Sequence, residues 1–334
     1  SDVYKRQALR SMGHDLTDSL KGMSRGATSA RGTSRLRSGL VIAEVALSLV
    51  LVAGAGLLLK SFMNVQTLDP GFRVEGVWTI PLTPTGMETP EDYVRSMDLV
   101  EASLAQIPGI SSAAYSLTLP FEMTGSGRCC WMTSSLTAGG EALDGFRLIL
   151  QPVTEGYFDA LGIQMVAGSA WTQADAAADP WPTVVDEGLA IQLFGSAQGA
   201  VNQVISVGSS DPSQHLITGV SEDTRHFGLD QPPLTFMYVT VERLPLTIPM
   251  AHMAVRLDGD APSGWARTLR EAVWAAAPNM PIPTVRSMGE WVDRSTSGRR
   301  FDSVLFAVFG GMALFLAGAG LYGTLLYTVS QRRR

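Results

Sequence analysis

The chain has 334 residues, 46% of them hydrophobic, and a formal net charge of −6. An acidic chain does not offer the basic face that nucleic acid requires, and two cysteines, adjacent at Cys129 and Cys130, cannot supply a disulfide framework. The charge is unevenly placed. Residues 1–39 carry eight Lys/Arg against three Asp/Glu, residues 61–298 carry eleven against twenty-six (a net of −15), and Arg332, Arg333 and Arg334 close the sequence.

The first element is an apolar run within "LRSGLVIAEVALSLVLVAGAGLLLKS". Residues 40–61 are expected to form a transmembrane helix, since about 20 residues at 1.5 Å rise cover roughly 30 Å of hydrocarbon. A secretory signal has a shorter apolar core and a short basic lead. Here some forty residues precede the run, although Ala53-Gly54-Ala55 imitates a cleavage site. Glu44 falls in the second turn, near the membrane surface, and reads as an interfacial or helix-packing acid rather than part of an ion pathway.

Next come "GVWTIPLTP", "TPEDYVRSMDLVEASLAQIPGI" and "SSAAYSLTLP". Alternation of Val77, Thr79 and Pro81 with Trp78, Ile80 and Leu82 predicts a strand. Thr89 as N-cap and Pro90 at the first position predict a helix start. Tyr93, Met97, Val100, Leu104 and Ile107 give that helix one apolar stripe, and a second strand follows its Pro108-Gly109 stop.

Residues 145–242 read as a strand-rich insert. Its short strands are expected in "RLILQPVT", "QMVAG", "PTVVD", "NQVISVG", "QHLITGVSED" and "TFMYVTVE", and its Gly-stopped helices in "GYFDALG" and "DEGLAIQLFG". The strand–helix–strand plan then recurs in "AHMAVRL", "DAPSGWARTLREAVWAAAPNMP" and "IPTVRSM", with Pro262 near the helix start and Trp265, Leu269, Val273 and Ala276 as its stripe. Two such units separated in sequence are what a split, ferredoxin-like layer supplies. Residues 64–144 and 243–300 are therefore expected to form one porter-like α+β lobe, with 145–242 as a second, separable lobe.

Residues 302–330 are expected to form a second transmembrane helix, uncharged from Ser303 to Ser330, in which Gly310, Gly311, Ala317, Gly318, Ala319, Gly320 and Gly323 concentrate small residues as close-packed membrane helices do. The fold class expected is thus α+β, with two transmembrane helices flanking a two-lobed extracytoplasmic domain. By the positive-inside rule the basic segment 1–39 and the short 331–334 stretch lie in the cytoplasm. Lys60, Arg299 and Arg300 fall on the outer side as exceptions. "SDVYKRQ" lacks an initiator Met, and the sequence stops just after the second span, so the chain is expected to be a fragment of a longer membrane protein.

No pattern carries catalysis: there is no Gly-x-Ser-x-Gly elbow and no His-Glu-x-x-His helix. "GAGLLLKS" resembles a phosphate loop but has leucine before Lys60 and lies inside a span. His14, His215, His226 and His252 are scattered without metal-ligand spacing. Glu222, Asp223, Arg225, His226 and Asp230 crowd a loop in "SEDTRHFGLD", read as a satisfied polar network rather than a catalytic centre. Cys129-Cys130 reads as a loop pair without an assigned role rather than a strained vicinal disulfide. No catalytic, metal or cofactor-binding residue is expected.

"LRSGLVIAEVALSLVLVAGAGLLLKSFMNVQTLDPGF", "GYFDALGIQMVAGSAWTQAD", "TGVSEDTRHFGLDQPP" and "SVLFAVFGGMALFLAGAGLYGTLLYTVSQRRR" together resemble the FtsX/MacB-type ABC transporter permeases, in particular the group with duplicated permease halves and no fused ATPase. The likeness runs from about Asp15 onward. It implies one helix before a MacB-like periplasmic core and three after it, in the bacterial inner membrane. It also implies a separate ATPase subunit, a second permease half or homodimer partner, and a periplasmic partner, in efflux or envelope-substrate translocation. Three departures stand out. The last two family helices are absent after "SQRRR", "DEGLAIQLFGSAQGAVNQVI" lacks the Phe-Pro-Gly-Glu-Asp-Pro-like turn, and "RCCW" has no counterpart. The alternative reading is a two-span sensor with an extracytoplasmic ligand-binding domain; such a chain would continue into a signalling domain rather than another span.

Overall fold

The structure, a computed structural model, describes residues 30–85, 89–121, 131–138, 141–208, 212–229, 231–243 and 251–332. Cys129, Cys130, His14 and Asp230 lie outside the described residues, as does the side chain of Glu44. The chain divides into two compact units, residues 64–299 and the flanking 1–63 with 300–334.

In the flanking unit, helix α1 (Ala30–Gln66) contains the apolar stretch Val45–Val65, with a mean hydropathy of 2.1. This stretch sits a few residues beyond the 40–61 expected. Helix α7 (Met288–Arg332) contains Val304–Gly323 at 2.2. Both stretches are long enough to cross a membrane and leave their Leu, Val and Phe side chains largely exposed. Ser48 Oγ donates to the Ala313 carbonyl at 3.2 Å, the kind of interhelical bond a hydroxyl makes where no water competes. Gly310 is the close approach: a Cβ there would meet Ala55 Cβ at 3.6 Å, whereas Gly311, Gly318 and Gly323 have nothing within 4 Å. Only part of the small-residue run therefore serves this helix pair.

The other unit is built on β1 (Val77–Leu82), β2 (Ile110–Ser116), β10 (Ala251–Leu257) and the two-residue β11 (Arg286–Ser287). Their order is β11-β1-β10-β2, all antiparallel, with Val77 opposite Arg256 and Leu82 opposite Ala251. The two separated strand–helix–strand units thus interleave in one split layer. Thr89 Oγ1 accepts from Asp92 N at 3.1 Å at the start of α2 (Pro90–Ala105), whose Tyr93, Met97, Val100 and Leu104 are buried. Trp265, Leu269 and Val273 of α6 (Trp265–Ala276) join them against Ile80, Leu82, Met253 and Val255. Each such side chain contributes about 1.5–3 kcal/mol by leaving water. Ser103 Oγ ties α2 to the Ala272 carbonyl of α6 at 3.0 Å.

The remaining long strands close on themselves. They are β3 (Trp131–Ala138), β4 (Glu141–Val153), β6 (Trp181–Asp186), β7 (Val204–Val207), β8 (Ser213–Ser221) and β9 (Phe236–Thr240). They run in the order β4-β3-β7-β8-β6-β9, and β9 returns to pair with β4 in parallel, completing a six-stranded barrel. Leu136, Leu148, Val185, Ile205, Ile217 and Met237, one from each strand, fall in a single cluster. Small barrels are filled by side chains in this way. Helices α4 (Glu187–Phe194) and α5 (Ala197–Ala200) add Leu189, Ala190, Ala197 and Ala200 to it. Strand β5 (Met165–Gly168) flanks β8.

Along β4, β6 and β9 the alternate residues Ile149, Val184, Phe236 and Tyr238 belong to a different cluster, as a period of two requires. That cluster also takes Val77, Ala114 and Ala254 from the layer and Tyr157, Phe158, Ala160 and Leu161 from α3 (Tyr157–Leu161). Layer and barrel therefore share one hydrophobic core. The division expected at 144/145 runs through β4, and β3, placed in the first lobe by the sequence, pairs with β4 and β7.

Candidate functional site

Three motifs far apart in sequence meet on the shared core. In "DPGF", Asp69 Oδ1 accepts from Gly71 N at 2.9 Å and tightens the turn. Gly71 has φ +77°, and a Cβ there would lie 2.1 Å from the Asp223 carbonyl oxygen, so only glycine fits. Arg225 N donates to the Pro70 carbonyl at 2.9 Å, laying "DPGF" directly on "DTRHF". Phe72 meets Phe121 edge-on at 5.7 Å, and Phe121 N donates to the His226 carbonyl at 2.8 Å. "YFDALGI" joins through Arg73 N, which donates to the Leu161 carbonyl at 2.7 Å, and through Phe158, whose ring stands edge-on to Tyr238 at 5.1 Å. Gly162 ends α3 at φ +64°.

Asp223, Thr224 and Arg225 of "SEDTRHFGLD" are engaged by this packing, whereas Glu222 is exposed. Asp223 Oδ1 accepts from Gly188 N at 2.8 Å and Asp186 Oδ1 from Leu189 N at 2.7 Å, so two carboxylates from different elements hold the first turn of α4. Asp186 also accepts from Phe236 N, and its burial pushes its carboxyl up to about 7. Arg225 Nη1 donates to the Gln231 carbonyl at 2.6 Å, and Thr224 Oγ1 lies 3.0 Å from the Tyr238 hydroxyl. His226 is buried and stacked on Phe236 at 4.1 Å. Burial pulls its imidazole down to about 3, so it is neutral. Its Nε2 has no hydrogen-bond partner among the described residues.

The other histidines are elsewhere. His215, in β8, sits between Thr183 Oγ1 at 3.0 Å and Ser213 Oγ at 2.7 Å; His252 is buried in β10. Among the described residues no three His, Cys, Asp or Glu side chains gather as metal ligands.

The same cluster receives both ends of the central unit. Val65, near the end of α1, and Trp291 and Val292, in the first turns of α7, pack against it, and Met288 is fully buried within it. Trp291 Nε1 donates to Thr79 Oγ1 of β1 at 2.8 Å, and Arg286 lies over the Trp291 ring at 5.0 Å. A sequence could reveal the motifs but not this convergence, which depends on which strands pair.

A second feature is acidic. Asp98 and Glu101 of α2, Glu155, Asp159 of α3, and Glu242 of the 3₁₀ turn Val241–Arg243 line a groove of about 440 Å³ with Thr154 and Gln173. Burial, then the neighbouring carboxylates Asp98, Glu242 and Glu155, push Glu101 up to about 7 against a hydrogen bond from Thr154. Arg243, which lines a separate cavity with Arg95, Asp98 and Glu242, is held by the carbonyls of Ala176, Ala177 and Ala178 and by the Trp181 face.

The sequence profile of the MacB-like periplasmic core domain matches residues 38–300. The chain belongs to this family, and it is an FtsX/MacB-type ABC transporter permease. Among solved structures, the periplasmic region of MacB from Actinobacillus actinomycetemcomitans aligns at 14% identity and a TM-score of 0.44, over 68% of this chain and 95% of that one. The extracellular domain of the noncanonic ABC-type transporter YknZ from Gram-positive bacteria aligns at 13% and 0.39, over 61% and 98%. No curated protein matches. MacB-like permeases are transport proteins rather than a class of enzymes, and two apolar helices flanking such a core fit an inner-membrane protein.

Proposed function

We propose that this chain transmits the motion of a separate ATP-hydrolysing subunit to its own extracytoplasmic domain, and so drives efflux or the translocation of an envelope substrate. Both basic ends lie in the cytoplasm in this reading, and the domain of net charge −15 lies outside. A second permease half or a second copy completes the membrane part, and a periplasmic partner receives the substrate. The division of labour follows the layer of 64–144 and 243–300 and the inserted lobe of 145–242, with β3 counted to the barrel. No residue is assigned a catalytic, metal or cofactor role.

The observation that carries the reading is the joint at Trp291. Helix α7 runs without a break from the sheet-packed Met288–Val292 turns into its apolar span, so a push along that helix reaches β1 through a hydrogen bond and a packed core rather than a loop.

Cysteine accessibility tests the topology on which this depends. With Cys129 and Cys130 replaced by serine, Ala174→Cys should react with a membrane-impermeant maleimide in intact cells whose outer membrane is permeabilised. A cysteine appended after Arg334 should react only once the inner membrane is opened. The reverse pattern would refute the reading.

A further inference from the structure

We propose that Ser213 is a covalent acceptor for acyl groups, with His215 as its base and Thr183 holding the imidazole in place. The site adds a reactive side chain to a chain whose transport role requires none, and it does not depend on that role.

The three side chains come from two adjacent strands. β6 and β8 run parallel, with Trp181 opposite His215 and Thr183 opposite Ile217. Ile217 and Val185 belong to the filling of the barrel. A period of two therefore turns Ser213, His215 and Thr183 to the same inner side. Ser213 is the first residue of β8 and pairs with Val207, the last of β7. The trio thus sits where the strands end, with His215 buried and Ser213 half-buried beside the exposed Pro212.

Two proton arrangements satisfy these groups, and the distances favour one. Ser213 Oγ lies 2.7 Å from His215 Nε2, and Thr183 Oγ1 lies 3.0 Å from Nδ1. Hydroxyl donors approach to about 2.7–2.8 Å and N–H donors to about 2.9–3.0 Å. Nδ1 then donates to Thr183 Oγ1, and Thr183 passes its own proton to the Trp181 carbonyl at 3.2 Å. Nε2 presents its lone pair to the Ser213 hydroxyl. The competing acceptor for that hydroxyl, the Val207 carbonyl, is farther away at 3.3 Å. Trp181 stands edge-on to the imidazole at 5.1 Å and restricts its rotation. Burial pulls the imidazole down to about 4, so near neutral pH it is an unprotonated base.

Nucleophile, base and orienting group are thus joined in series, the arrangement that activates a serine. With an activated aryl ester, Oγ bonds to the acyl carbon while its proton passes to Nε2. The bond from that carbon to the aryloxide then breaks, and the proton leaves with the phenol. The products are O-acyl Ser213, the phenol and a neutral His215. General-base assistance of this kind is worth roughly 10²–10⁴-fold.

The test uses the full chain in lipid nanodiscs, with Cys129 and Cys130 replaced by alanine and p-nitrophenyl acetate as the probe. Peptide mapping by mass spectrometry should find an acetyl group on Ser213, formed about 100-fold faster than on an exposed serine such as Ser169. Ser213→Ala should remove that adduct, and His215→Gln should slow its formation about 100-fold. Thr183→Val should slow it as well, whereas Thr183→Ser, which restores the hydroxyl, should return the parent rate. No acetyl group on Ser213 in the parent, an adduct on His215 alone, or an undiminished rate in His215→Gln would overturn the proposal. An undiminished rate in Thr183→Val would overturn the positioning role of Thr183.

Discussion

Trp291 and Thr79, 212 residues apart, are joined by a 2.8 Å hydrogen bond between an indole N–H and a fully buried hydroxyl. The bond locks the first turns of α7 to β1, the strand that opens the layer. Trp291→Phe keeps a ring but leaves Thr79 without its donor. It should cost about 1–3 kcal/mol in thermal or denaturant unfolding of the outer domain. A double-mutant cycle with Thr79→Val should return a coupling of about 0.5–3 kcal/mol; additive effects would show that the pair is incidental.

Gly71 and Asp223 make the second test. Gly71→Ala puts a methyl into the Asp223 carbonyl and strains a positive φ, which together should destabilise by roughly 2–5 kcal/mol. Asp223→Ala keeps that backbone but removes one of the two carboxylates holding α4, and should cost about 0.5–2 kcal/mol. Equal effects would mean that the cap, not the close approach, dominates.

Acid should weaken the domain through His226. Its folded value, about 3, is below the ordinary 6.5, so the unfolded chain binds more protons between those limits. The stability it contributes is present above 6.5 and is lost as pH falls toward 3. His226→Phe retains the stacking on Phe236 and should flatten that limb of the stability–pH curve, as read by melting temperature at fixed ionic strength. A parallel loss in the variant would place the acid sensitivity elsewhere.

Most of the layer was legible in the sequence because its signals are local. Thr89-Pro90 caps α2 and the stripe from Tyr93 to Leu104 is the buried face. The short strands of the insert and the stops at Gly162 and Gly195 are likewise written in turn chemistry. What was not legible is long-range. The parallel return of β9 onto β4 closes the barrel, yet pairing partners leave no mark in a strand's own alternation. The crowding of Asp223, Arg225 and His226 was visible, but that Asp223 caps α4 depends on β6 and β8 lying side by side. The acidic groove was hidden because its carboxylates come from three separate stretches, 98–101, 155–159 and 242.

The shared core changes what excision should do. Tyr157, Phe158, Phe236 and Tyr238 lie in one cluster with Val77, Ala114 and Ala254. Replacing residues 145–242 by a Gly/Ser linker costs little in loop closure, but it uncovers the other face of the layer. The remainder should aggregate or lack a cooperative transition, contrary to the separable lobe expected from sequence. By contrast, Leu104→Ala in the intact chain should cost roughly 2–5 kcal/mol while leaving the transition cooperative. A monomeric, cooperatively melting remainder would show that the shared cluster contributes little.

In the proposed function, ATP hydrolysis elsewhere is coupled to this chain through α7. The direct measurement is the ATP hydrolysis rate of the tagged permease purified with its associated subunits in nanodiscs, alongside Trp291→Ala in the same assembly. ATPase activity should co-purify with the permease, and Trp291→Ala should lose substrate movement while hydrolysis persists. A permease that purifies without any ATP-hydrolysing subunit, or substrate movement unaffected by Trp291→Ala, would contradict it.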